Sequence, residues 1–404
     1  MGYGQFTMSV QSARMSRPAD RRRQLIEHAA ALFVERGYPH VAMADIARAA
    51  GVTAPSLYRH FTDKRDLLGA AVLSGVDDLE ICTDRALATP GTRAQTTRKL
   101  IEAITKRPDS ASLWRWTGAY LSDAQNREVA LRTRAVLRRW SDALFGDADL
   151  ADWERSQLTW ALLSVAGSGT VHSRRLSAAR ELDELTDRAL RLLSLRPAQA
   201  PPRPFAVPSS PSTTRRDEIL DAASQLFAER GYADVGVDEI GAAVGISGPS
   251  VYNHFSSKAA ILVGIGQRSA ARLEAGVIAV YGAAGTQPDD PAALLTGLVD
   301  SYVTAITATP DLSVSFNNSP ALATDPAAVA LLDSQRRYVA RWIELLAAAE
   351  AVPAAEAGVG VHAALSIVND AVRLRRGTSR PEFGSQMAYL MRGVLLGEVA
   401  SVDP

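Results

Sequence analysis

The chain of 404 residues has one cysteine, Cys82. No internal disulfide can form, so a disulfide-stapled scaffold is excluded and a reducing, cytoplasmic setting is expected. Charge of one sign is also missing: 44 lysines and arginines stand against 44 aspartates and glutamates, which excludes a polybasic partner-binding chain but not a local basic face. No apolar run approaches the roughly 18 residues of a membrane span. Residues 1–19 lack the apolar core of an export signal, and no membrane partner is expected. Lysine is nearly absent, occurring only at Lys64, Lys99, Lys106 and Lys258, so a lysine that recurs at one motif position carries weight. What is present is 47% hydrophobic side chains on a length too great for one ordinary core. That excludes global disorder and predicts two or more packed domains.

The chain is one unit written twice. Arg21–Leu68 and Arg215–Leu262 align without a gap, with about 20 identities in 48 positions. Glu35-Arg36-Gly37-Tyr38 answers Glu229-Arg230-Gly231-Tyr232; Pro55-Ser56 answers Pro249-Ser250; Tyr58, His60, Phe61 and Lys64 answer Tyr252, His254, Phe255 and Lys258. Further on, one offset of 202 aligns Pro108-Asp109 with Pro310-Asp311, Arg139-Trp140 with Arg341-Trp342 and Leu163-Ser164 with Leu365-Ser366. Between the copies, prolines at 197, 201, 202, 204, 208 and 211 predict a stiff, extended, non-helical spacer.

Periodicity predicts an all-α fold. Leu25, Ile26, Ala29, Leu32 and Phe33 recur at helical steps and end at Gly37, where a left-handed cap is expected. Short helices follow at Met43–Ala50 and Val237–Val244, each stopped by a glycine, Gly51 or Gly245. A third begins after Thr53 or Ser247, whose hydroxyls are suited to capping, with Pro55 and Pro249 in its first turn. Helix four starts at Asp63 or Ser257. Trp153–Arg174 and Ala179–Leu195 read as the closing helices of copy one, Ala354–Arg375 and Phe383–Ser401 as those of copy two.

Two short helices about a glycine turn form a helix-turn-helix, whose second helix presents its N-terminal residues to base edges in a major groove. The run Gly51-Val52-Thr53-x-x-Ser56-Leu57-Tyr58-x-His60-Phe61-x-x-Lys64-x-x-Leu67-Leu68, with Leu32-Phe33-x-Glu35-Arg36-Gly37-Tyr38 upstream, resembles the N-terminal head of the TetR family of transcriptional repressors. Gly245-Ile246-Ser247-Gly248-Pro249-Ser250-Val251-Tyr252-x-His254-Phe255-x-x-Lys258 resembles it again. The resemblance covers about 50 residues per copy and implies a tandem, single-chain member. Each unit would be a three-helix head on a helical ligand-binding and dimerisation body. The expected division is an N-terminal arm 1–19, head 20–80, body 81–196, linker 197–212, head 213–274 and body 275–404.

By position, the resemblance assigns base-facing roles to Thr53, Ala54, Pro55 and Ser56, with Arg59 in the same helix. Tyr58, His60 and Lys64 would hold phosphates. Copy two supplies Ser247, Gly248, Pro249, Ser250, Tyr252, Asn253, His254 and Lys258. One departure is that Ala42 and Gly236 stand where the family often has a capping threonine, which predicts a looser start to the first short helix. The resemblance further implies double-stranded operator DNA and a small hydrophobic effector, lipid-related molecules among the candidates, as partners. Paired closing helices would make an intrachain pseudo-dimer, with a homodimer of whole chains left open. Trp114, Trp116 and Tyr120 read either as core or as an effector-pocket wall, with His172 nearby in sequence; Phe316 and Asn317 align with that cluster in copy two. Phe61 and Phe255 are expected to be buried. The glycines at 167, 169, 358 and 360 suit helix packing, and Arg174, Arg175, Arg373, Arg375 and Arg376 solvated helix ends. No cofactor loop, metal spacing or nucleophile–base pair is legible, so neither cofactor nor catalysis is expected.

The heads differ in charge. Residues 1–68 carry 10 cations and 6 acids, net +4, whereas residues 213–262 carry 4 and 7, net −3. Phosphate neutralisation drives affinity, so a non-palindromic site bound mainly through head one is expected. The alternatives are an activator, or an architectural DNA-binding protein without an effector.

Overall fold

The computed structural model describes residues 18–106, 113, 118–146, 148–170, 176–203, 214–283, 290–318, 322 and 325–397. Among these, every regular element is helical. Copy one runs α1 (Pro18–Arg36), α2 (Met43–Ala49), α3 (Ala54–Tyr58), α4 (Lys64–Leu87), α5 (Arg93–Thr105), α6 (Asp123–Phe145), α7 (Asp152–Ala166) and α8 (Ala178–Leu193). Copy two runs α9 (Arg215–Arg230), α10 (Val237–Ala243), α11 (Gly248–Val251), α12 (Lys258–Ala283), α13 (Pro291–Ala308), α14 (Asp311–Asn317), α15 (Val329–Glu350), α16 (Ala354–Arg373) and α17 (Phe383–Leu396).

Local sequence sets the helix starts. The Asp63 carboxylate accepts from the Asp66 amide at 2.8 Å, and Thr92–Gln95 and Ser122–Gln125 form reciprocal capping boxes. The predicted looseness at Ala42 and Gly236 is offset from the third helical position. There the Asp45 and Glu239 carboxylates accept the cap amides at 3.0 and 2.8 Å, bonds that hold both carboxyls below their ordinary range. Gly37 and Gly231 do have positive φ, but ψ of 141° and 148° makes them extended and not a left-handed helical cap. Only glycine enters that conformation freely.

Three further expectations need correction. The helix predicted over 153–174 stops at Ala166 and tightens into a 3-10 turn, Gly167–Thr170, where the Ser168 hydroxyl bonds back to Val165 O at 2.7 Å. The linker is not a free spacer at its start. Pro197–Gln199 makes a 3-10 turn, the Ala198 amide binds Glu154 at 2.9 Å, and the Arg203 amide binds Ser385 Oγ on α17 at 3.0 Å. The rest of the linker and most of the N-terminal arm lie outside the described residues. Arg373 and Arg376 are not solvated ends: Arg373 is paired with Asp370 and Asn317, and Arg376 is largely desolvated.

Each head has its own small core, and the two bodies share one. Leu25, Ile46, Leu57, Phe61 and Leu68 form the first head core; Ile219, Ile240, Val251, Phe255 and Leu262 form the second. Phe61 and Phe255 are therefore buried, as expected. The large core joins Leu158, Leu162, Val165, Leu185 and Leu192 of copy one to Val361, Ala364, Val368, Met387 and Leu395 of copy two. It forms because α7 and α8 pack on α16, and α8 packs on α17. The four closing helices thus pair within one chain. Long helices α4 and α12 carry each head into its body, and are fixed there by Arg132 to Asp77 and Glu80, and by Arg268 to Asp311. One described helix, α13, is long and apolar enough to cross a membrane. Here it packs between α12, α15 and α17, and its Asp300 pairs with Arg203 and Arg392.

Candidate nucleic-acid interface

The second short helix of each head, α3 or α11, is the candidate reading element. In head one, α2 buries Met43, Ile46 and Ala47, so its other face is free. Gly51 then turns the chain with φ +64°, and the Val52 amide closes the turn on Ala47 O at 2.9 Å. Thr53 is extended at the helix N-cap, and α3 buries only Leu57. Thr53, Pro55, Tyr58 and Arg59 are exposed; Ala54, Ser56 and His60 are half-buried. The tip therefore offers hydroxyl, imidazole and guanidinium donors on a rigid, solvent-facing helix start, which suits base edges and phosphate oxygens.

Head two repeats the frame with Gly245 at φ +73° and Ile246 closing on Gly241 O at 2.9 Å. Ser247, Pro249, Tyr252, Asn253 and His254 are exposed, and Ser250 is half-buried. Gly248 departs from its predicted base-facing role. It is buried, and a Cβ there would fall 1.7 Å from Asp238 Oδ1 and 3.1 Å from the Asp238 backbone, so the missing side chain lets α11 press onto α10. The hydroxyls also differ. Ser247 Oγ lies 2.8 Å from Ser250 Oγ and accepts the Ser250 amide, whereas Thr53 makes no capping bond and its expected cap is not formed. Head one keeps its hydroxyls available; head two engages them internally.

The recurrent lysines point inward. Lys64 Nζ donates to Tyr38 O at 2.9 Å and to Val41 O at 3.0 Å, and lies 4.3 Å from the centre of the Tyr38 ring. Lys258 Nζ donates to Ala233 O at 3.2 Å and sits 4.5 Å from the Tyr232 ring centre. Burial lowers both ammonium pKa values. Two of the three Lys64 donors are thus committed to the turn after α1, which gives this lysine a structural duty that spacing alone did not reveal. Lys64→Met is expected to cost head one about 1–2 kcal/mol even without DNA, visible as earlier urea unfolding. Unchanged unfolding would mean that the ammonium is free for phosphate alone.

The body residues singled out from sequence do not converge on one described cavity. Trp114, Trp116 and His172 lie outside the described residues. Tyr120 packs against the first head core with its ring 4.6 Å from that of Tyr38. Burial raises its pKa, reinforced by Asp234 of head two. Phe316 packs on the shared core, and Asn317 Oδ1 accepts from Arg373 at 2.7 Å. A cavity of about 510 Å³ instead opens among α5, α7 and α8, walled by Ile104, Ala166 and Leu182, with Arg98, Glu102 and Glu181 at its polar positions. Sequence reading missed these residues because they are spread over three helices and none belongs to a motif.

Residues 25–71 and 219–265 match the model for bacterial regulatory proteins of the tetR family. The chain belongs to the tetR family. The family head is present twice, and the matched spans coincide with α1–α4 and α9–α12. Over 67 residues the chain is 43% identical to the HTH-type transcriptional activator FasR of Mycolicibacterium smegmatis, covering 17% of this chain and 31% of the relative. The HTH-type transcriptional repressor KstR2 of the same species is 29% identical over 134 residues, 32% of this chain and 65% of the relative. The matches thus span less than two thirds of each relative's length. Among solved structures, the ketosteroid transcriptional regulator KstR2 of Mycobacterium tuberculosis is similar at 20% identity with a TM-score of 0.37, covering 43% of this chain and 93% of that one.

Proposed function

We propose that this tetR-family chain is a cytoplasmic, ligand-responsive transcriptional regulator that reads a non-palindromic operator through two unlike heads on one covalent body. The observation that carries the reading is the pair of exposed helix tips. They share Pro55/Pro249 and Tyr58/Tyr252 but differ at Arg59/Asn253, in hydroxyl engagement and in net charge. Identical half-sites serve two identical heads; unlike heads favour unlike half-sites. Head one supplies most of the electrostatic affinity, because each phosphate it neutralises releases counterions.

Repression follows where such a site overlaps a promoter, and activation where it lies upstream; the similar proteins include one of each. The cavity among α5, α7 and α8 lies within the size range of small-molecule sites and supports an effector in body one. An effector acts only through different affinities for the DNA-bound and free arrangements of the heads. Selection of bound sequences from random duplexes, followed by footprinting, tests the reading. Two dissimilar half-sites protected together are expected. A perfect inverted repeat, equally sensitive to Tyr58→Ala and Tyr252→Ala, would refute it, and no preference over random DNA would leave an architectural binder.

A further inference from the structure

The seam between the copies holds a second cavity, of about 210 Å³, that the head-and-effector reading does not use. Copy one contributes Trp153, Gln157 and Trp160, which share one face of α7 at steps of four and three. Copy two contributes Arg376 and Arg380 from the connection between α16 and α17, and Gln386 from α17 itself. The Arg376 guanidinium lies 5.4 Å from the Trp160 ring centre, and that of Arg380 5.9 Å from the Trp153 ring centre. The site is therefore two indole rings with a cation over each.

Its polar groups are unfinished. Trp160 is 3% exposed, yet its Nε1–H has no acceptor, and the buried Gln157 Oε1 has no donor. Gln157 uses only its amide nitrogen, towards Gln386 Oε1 at 3.2 Å. Among the described residues neither Arg376 nor Arg380 has a carboxylate partner. The one buried acid on this stretch of α7, Glu154, is occupied by the amides of Ala151 and Ala198. Burial pushes the Arg376 pKa down to about 10, and Arg134 adds to the shift. A desolvated cation without an anion is costly, as is a buried donor without an acceptor.

The duplication supplies a control. With the offset of 202, the positions answering Phe383 and Gln386 are Glu181 and Glu184, and those answering Trp153 and Trp160 are Ala355 and His362. The mate of this cavity across the pseudo-two-fold thus carries acids where this side has none, and lacks both indoles. Arg376 itself answers Arg174, so an arginine stands at that position in both copies, but only this side has gained the indoles and Arg380 and lacks the two acids.

The geometry points to a binding site for a small, flat organic anion between the two copies. Its carboxylate or phosphate would lie against Arg376 and the Trp160 N–H, and its apolar body on the indole rings. The volume is below that of drug-sized sites, which limits the ligand to roughly ten non-hydrogen atoms. Because α7 and the α16–α17 connection belong to different copies, an occupant would brace the seam. The inference does not depend on what the heads bind.

The test uses the full chain, with tryptophan fluorescence and thermal unfolding read against benzoate, phenylacetate and phenyl phosphate at millimolar concentration. At least one anion is expected to give a saturable fluorescence change and a rise in Tm, while the neutral isostere benzamide binds at least about tenfold more weakly. Arg376→Gln should weaken binding by a similar factor. It should also leave the empty protein as stable or more stable, since it removes an unpaired desolvated charge. Arg375→Gln, beside the site but exposed, should change neither. No saturable response to any of the three anions, equal binding of benzamide, or a fall in Tm for Arg376→Gln with anion binding intact would each overturn the assignment.

Discussion

Replacing Arg188 by leucine is expected to destabilise the folded chain by about 3–5 kcal/mol, because it breaks a buried ion pair from one side. Arg188 is 1% exposed on α8. Its guanidinium pairs with Glu350 at the end of α15 and donates to Val394 O at 3.2 Å and Leu395 O at 2.8 Å. Those carbonyls belong to the last turn of α17, where no intrahelical donor exists and the dipole favours a cation. Burial alone would raise the Glu350 pKa, but hydrogen bonds from Arg188 and Arg191 outweigh it and hold the carboxyl below its ordinary range. The arginine reaches this place only because Gly360 is bare: a Cβ there would meet Arg188 Nε at 2.9 Å and Cζ at 3.0 Å.

The duplicate positions show what that pair replaces. The offset of 202 maps Arg188 onto Leu390 and Gly360 onto Leu158, both fully buried. One side of the seam is filled by arginine over glycine, the other by two leucines. Pairing copy one with itself would drive Arg188 against Leu158; pairing copy two with itself would leave Leu390 opposite the gap at Gly360. Gly360→Leu alone should therefore also destabilise, while the double change, Arg188→Leu with Gly360→Leu, places at both positions the leucines that stand buried at the duplicate ones. Urea unfolding of the three variants should show the double less damaged than the sum of the singles by more than about 1 kcal/mol. Additivity within about 0.3–0.5 kcal/mol would deny any coupling between the two positions.

Arg188 also marks where sequence reading ends. The stripe of Leu25, Ile26, Ala29, Leu32 and Phe33 was legible because burial on α1 depends on spacing along one helix, and all five are buried. The turn glycines were legible because positive φ is a local demand. The closing helices were located to within a few residues, apart from the early stop at Ala166. Arg188, by contrast, has the letters of a solvated charge on an amphipathic helix; its burial is decided by Glu350, Gly360 and the end of α17, all in the other copy. Gly248 looked like a reading residue until Asp238 of α10 was seen against it. Lys64 stood out by recurrence, but recurrence marks a constraint without naming it, and here two carbonyls of the preceding turn are part of that constraint. The seam cavity was invisible for the same reason, since its tryptophans and arginines lie more than 200 positions apart.

Disabling either head should weaken operator binding by about 10²–10⁴-fold, because the heads are linked and the second contact is made at high effective concentration. The loss should be unequal. Tyr58→Ala with His60→Ala removes an exposed phenol and an imidazole from the tip that also carries Arg59 and the free Thr53 hydroxyl. Tyr252→Ala with His254→Ala removes the same groups from a tip with Asn253 in place of Arg59, and with Asp234 and Asp238 where head one has His40 and Ala44. Neither variant touches the lysines that brace the turns, so the heads should stay folded, which unfolding without DNA would check. Head one should show the larger loss. Arg59→Asn should lower the slope of log K against log salt by about 0.9 if that guanidinium neutralises one phosphate, and Asn253→Arg should raise it by a similar amount. Titrations at several salt concentrations on the selected operator decide the matter. Equal losses from the two heads, with a salt slope indifferent to Arg59→Asn, would show that the charge difference between the copies is not read by DNA.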